Sequence, residues 1–116
     1  MERVEECKRE LKKAIDRLDN IRVARVEAKA NVLFYEALQS GIVKAISESV
    51  GDKDGHYPLR RVIEDTEILW GAELRHVVRR RDEAAEYLRE CEEEQENARI
   101  AKEQAARELR DTLNAF

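Results

Sequence analysis

From Val4 onward, apolar residues recur at alternating steps of three and four: Val4, Cys7, Leu11, Ala14, Leu18, Ile21, then Ala28, Val32, Tyr35 and, after a gap, Ile42 and Ile46. A seam of this period, kept up over about six heptads, commits the segment to a long helix laid against another helix. Arg25 and Gln39 interrupt it, and polar groups in a seam usually fix register or partner choice rather than add stability. A second seam runs through Ile63, Trp70, Leu74, Val77, Ala84, Leu88, Cys91, Ala98, Ala105, Leu109 and Phe116, broken by Arg81, Gln95 and Lys102. Its C-terminal half is rich in alanine, which lets two helices approach closely.

Between the seams lies Ser49-Val50-Gly51-Asp52-Lys53-Asp54-Gly55-His56-Tyr57-Pro58. Glycines supply positive φ, aspartates suit turns and caps, and a proline is tolerated in a helix's first turn. The expected architecture is therefore all-α: a long antiparallel two-helix hairpin in one domain of 116 residues. Helix 1 is placed at about residues 2–50, the turn at 51–57 and helix 2 at about 58–114, each helix on the order of 70 to 85 Å long. Ser40-Gly41 is a place where the first helix could end early.

Composition agrees with long helices. Charged residues make up 41% of the chain against 42% apolar, aromatics are scarce, and there is one proline. The 22 basic and 26 acidic side chains leave a net charge of only −4, so no bulk field points to nucleic acid or an anionic membrane. No apolar run approaches the roughly 20 residues of a membrane span, and the opening Met-Glu-Arg-Val lacks a signal peptide's pattern, so a cytoplasmic location is expected. Cys7 and Cys91 fall on seam positions, as buried free thiols do.

A turn centred near Lys53 sets the acidic run Glu90, Glu92, Glu93, Glu94 and Glu96 opposite Lys8, Arg9, Lys12, Lys13 and Arg17, a match that a parallel arrangement would lose. Nearer the turn, each helix carries a second apolar row beside the first. On helix 1 this is Val23, Val26, Ala30, Leu33 and Ala37, with Phe34, Leu38 and Val43 off the seam; on helix 2 it is Leu59, Val62, Thr66, Leu69 and then His76, with Trp70 in the adjoining seam. A two-helix hairpin buries one row of each helix, and the other needs a cover. The expected solution is a homodimer that joins the turn-proximal halves into a four-helix bundle, with a helical partner protein as the second possibility.

Glu73-x-x-His76, with Glu36 expected at the same level, resembles the ligand set of di-iron carboxylate four-helix bundles, including short two-helix members of the ferritin-like group. That resemblance implies iron held between two hairpins. The preferred reading leaves Glu73 solvated and His76 at the edge of an interface, with no metal or cofactor. Asp52-Lys53-Asp54-Gly55 has the centre of a calcium loop, but Val50 and Arg61 stand where its outer ligands belong. An acidic tip on a helical hairpin also resembles, in outline, the transcript-cleavage factors of RNA polymerase, whose second docking domain these residues do not spell out. Arg75, Arg79, Arg80 and Arg81, with Arg22, Arg25 and Lys29, suggest a basic collar. Glu27, Glu73, Asp82 and Glu83 interleave it and no aromatic is present to stack a base, so nucleic acid is not expected as a partner. No nucleophile with its base, no glycine-rich phosphate loop and no CxxC pair is found, and the expected function is a non-enzymatic interaction protein.

Overall fold

The computed structural model describes residues 2–50 and 59–116, with side chains at 2–46, 48 and 70–116. Two helices, α1 (Glu2–Val50) and α2 (Leu59–Asn114), form an all-α helical hairpin. The connecting segment, with its glycines and the calcium-loop-like aspartates, lies outside the described residues. Helix α1 continues through Gly41 without a break. A Cβ at that position would meet nothing within 4 Å, so only the intrinsic helix cost of glycine, about 1 kcal/mol, is at stake there, and the flanking turns carry it.

Every described position of both seams is buried or half-buried except Arg25 and Phe116. Phe116 lies two residues beyond the end of α2 and is 81% exposed. The expected apolar seam therefore stops short of it. Its last member is Thr112, whose hydroxyl donates to the Glu108 carbonyl at 2.7 Å and sits 3.6 Å from Cys7 Sγ. With the hydroxyl proton committed to Glu108, the thiol is the donor in the contact with Cys7.

The chain divides into two compact units. One comprises Met1–Ala28 with Tyr87–Phe116, and its core is Val4, Cys7, Ala14, Leu18, Ala28, Cys91 and Ala98. Small residues dominate that core: Ala98 and Ala28 are almost wholly inaccessible, and Leu18 is its largest fully buried side chain. Close approach of two backbones removes apolar surface from water without needing bulky side chains. The other unit comprises Lys29–Glu86, and among its described residues only Val77 is fully buried. Val32, Tyr35, Ile42, Ile46, Trp70 and Leu74 of the same unit are half-buried.

The polar interruptions of the seams pair with one another. In the first unit the Arg25 guanidinium donates to Gln95 Oε1 at 3.3 Å; in the second, Arg81 Nη1 donates to Gln39 Oε1 at 2.6 Å. These pairs, with Cys7 opposite Thr112, fix the register, and it differs from the expected one. Each residue of α1 faces a residue about a dozen positions further along α2 than a turn centred on Lys53 implies. The reason is chemical: the expected register brings Arg25 and Arg81 to one level, two cations in one seam, whereas the observed one gives each arginine a glutamine.

The expected charge match is corrected accordingly. Of Lys8, Arg9, Lys12, Lys13 and Arg17, the structure joins only Arg17 to the acidic run, through Glu94. Lys8 and Lys13 bind Glu5 and Glu10 on their own helix, each at 3.5 Å.

Candidate interaction surface

Helix α1 advances 100° per residue, so the residues that follow the seam and those of the second row can be placed around its axis. Between Val23 and Ala37 the seam is Ala24, Ala28, Val32 and Tyr35, all buried or half-buried. Val23, Val26, Ala30, Leu33, Phe34 and Ala37 fall on the far side of the helix, not beside the seam as the sequence reading placed them. Their exposure agrees with that position: Val23 is 60% exposed, Val26 69%, Leu33 56% and Phe34 59%. Leu38 and Val43 are exposed as well. Phe34 packs edge-on against Tyr35, ring centroids 5.2 Å apart, which ties the outer face to the seam.

Charged residues bound this face and do not enter it. Asp19 stands at its N-terminal end and Lys44 at its C-terminal end, while Arg22, Lys29 and Glu36 lie along one edge and Glu27 along the other, in line with Phe34. A helix with apolar stripes on opposite sides is built to be covered on both. The described part of α2 has no such outer stripe: the far side of its seam carries Arg75, Arg79 and Asp82. Leu59, Val62 and Leu69, expected to extend the surface, have side chains outside the described residues, and Trp70 is half-buried. Of the remaining exposed large apolar groups, Ile15, Tyr87 and Ile100 stand singly as ordinary surface, and Leu113 and Phe116 lie at and just beyond the end of α2.

The other candidate constellations come apart. With Gln39 opposite Arg81, Glu36 stands level with Ala84, about 12 to 16 Å along the axis from Glu73 and His76. His76 Nδ1 accepts from Arg79 at 3.4 Å, and a guanidinium is a poor neighbour for a metal ion. No cluster of three or more metal-ligating side chains occurs among the described residues.

The arginines of the candidate collar are divided between the two units. Arg22 and Arg25 line a shallow cleft with Leu18, Glu92, Gln95, Glu96 and Arg99. Arg80 binds Glu83 at 3.6 Å, and Arg81 binds Asp82 at 2.9 Å as well as Gln39. Within the cleft-lining group, Arg99 bridges Glu96 at 2.5 Å and Glu103 at 2.6 Å, which holds the Glu96 carboxyl below the usual carboxylate range and pushes the guanidinium further up. Across the same unit, the Tyr87 phenol is raised above its ordinary value, chiefly by its hydrogen bond with Cys91. These are local charge pairings on an exposed surface, and no described group of them forms a nucleophile with a base.

No described helix is long and apolar enough to cross a membrane. No protein-family model, curated protein or solved structure matches the chain.

Proposed function

We propose that this chain is a non-enzymatic interaction protein, a cytoplasmic adaptor, assembly factor or small structural component that works as a homodimer. The observation that carries the reading is the outer face of α1, where four large apolar side chains stand more than half exposed on a stripe free of charge from Val23 to Ala37. Covering those side chains is worth about 1 to 2 kcal/mol each, given that full burial contributes roughly 1.5 to 3. Two copies contribute twice over, which is comparable with the roughly 4 to 15 kcal/mol that association costs in lost freedom. Self-association of two hairpins yields a four-helix bundle and supplies a face of matching chemistry without a second gene product.

The test is absolute mass in solution over a tenfold concentration range. The wild-type chain is expected at twice its 13.5 kDa. Leu33→Glu is expected at the single mass with its far-UV helical signal largely kept, because Leu33 points away from the seam. A wild-type monomer would transfer the face to a helical partner protein and end the homodimer reading. A Leu33→Glu variant that keeps the wild-type mass would place the interface elsewhere.

A further inference from the structure

Resting on the self-association just proposed, we infer that two copies pair antiparallel, outer face of α1 against outer face of α1, about a twofold axis between Asn31 and Val32. The face repeats with heptad spacing through Asp19, Val23, Val26, Ala30, Leu33, Ala37, Ser40 and Lys44, all exposed on the one uninterrupted helix Glu2–Val50. Steps of four and three alternate along this series, and the series reads the same spacing in both directions. It can therefore be laid against a reversed copy of itself with every position matched.

The match is chemical as well as geometric. Ala30 meets Leu33, Val26 meets Ala37 and Val23 meets Ser40, each layer setting a larger group against a smaller one. At both ends Asp19 of one copy meets Lys44 of the other. Along one edge of the face, Lys29 of one copy meets Glu36 of the other, twice; along the other edge Glu27 meets Phe34. Within one chain Asp19 and Lys44 have only loose partners on their own helix, Arg22 and Glu48, each at 3.9 Å.

Neighbouring arrangements lose this. A parallel pairing in register sets Asp19 on Asp19 and Lys44 on Lys44. An antiparallel slip of one heptad in one direction sets Asp19 on Ala37 and Lys29 on Lys29; in the other it sets Val26 on Lys44. Opposed helix dipoles also favour the reversed pair.

Cysteine cross-linking reads the arrangement directly. Val26→Cys and Ala37→Cys chains are prepared separately, mixed, equilibrated and oxidised, with the wild-type chain, whose Cys7 and Cys91 are buried, as the baseline. The mixture is expected to give covalent dimer well above either variant alone, with mass measurement showing all samples dimeric. Self-cross-linking of Val26→Cys alone would show a parallel pair and overturn the inference while leaving the homodimer intact. Dimeric mass with no cross-link in the mixture would move the interface off this face, also overturning it. Monomeric mass throughout would overturn both the arrangement and the reading beneath it. A charge exchange gives a second measurement: Asp19→Lys is expected to weaken dimerisation at least several-fold, and Asp19→Lys with Lys44→Asp to restore it. No restoration would overturn the pairing of the two ends.

Discussion

Replacing Gln39 and Arg81 by alanine, singly and together, tests whether the seam's polar pairs set the register. The hydrogen bond between them is 2.6 Å long, joins residues 42 apart in sequence, and lies where both groups are half-buried. A hydrogen bond to a charged partner contributes roughly 1.5 to 3 kcal/mol net when well buried. Arg81 retains 32% side-chain exposure and also binds Asp82, so water and a second acceptor compensate part of the loss. The expected coupling between positions 39 and 81 is therefore about 1 kcal/mol. The same cycle at Arg25 and Gln95, an exposed pair at 3.3 Å, is expected to show no coupling outside measurement error. Urea unfolding followed by far-UV circular dichroism, at one fixed protein concentration, supplies the seven stabilities. A coupling at 39 and 81 no larger than that at 25 and 95 would refute the assignment of register to the Gln39–Arg81 pair.

Gly41→Ala is expected to stabilise the chain by about 0.5 to 1 kcal/mol, since the new methyl meets open space and alanine removes glycine's helix penalty; a lowered unfolding midpoint would contradict an uninterrupted α1. The Glu96 carboxyl is expected to titrate below the usual carboxylate range by side-chain NMR and to rise toward it in Arg99→Ala. Because its folded pKa is depressed, whatever stability the Arg99 contacts contribute is present above the ordinary carboxylate range and fades as pH falls through the folded value. Equal titration of Glu96 in both proteins would remove the contact.

The seams could be read from sequence because a helix pair imposes its period on every residue it buries: Val4, Cys7, Ala14, Leu18, Cys91 and Ala98 all stand where the three-and-four rhythm puts them. Register is another matter, since sliding one seam along the other by seven leaves apolar against apolar, and only the exceptional positions break that degeneracy. Those positions, Arg25, Gln39, Gln95 and Arg81, were visible in the sequence. They lie 14 apart on each helix in reversed order, so the pairing that gives each arginine a glutamine was available without coordinates. The surface charges were the weaker guide. Lys8 and Lys13 find glutamates three residues away on their own helix before they need any across the hairpin. The separation of Glu36 from Glu73 and His76 follows from the same displacement, because a site assembled from two helices is only as good as the register assumed between them.

The residues of α1's outer face are legible in the sequence, and their place opposite the seam bears on what the helix is for. Over residues 23 to 44 the inner seam precesses around the helix, since 3.6 residues per turn do not divide seven evenly. A second row at the same spacing precesses with it, so the two stay opposed along their length. A helix that needed only the hairpin would place charges on that far side, as α2 does with Arg75, Arg79 and Asp82. In α1 the charges are held to the ends and edges; at Asp19, Lys29, Glu36 and Lys44 a reversed copy presents the opposite sign, while Glu27 on the other edge meets Phe34. Exposed apolar residues alone would fit any sticky partner. Apolar residues whose bounding charges complement their own mirror order fit a second copy better than they fit a stranger.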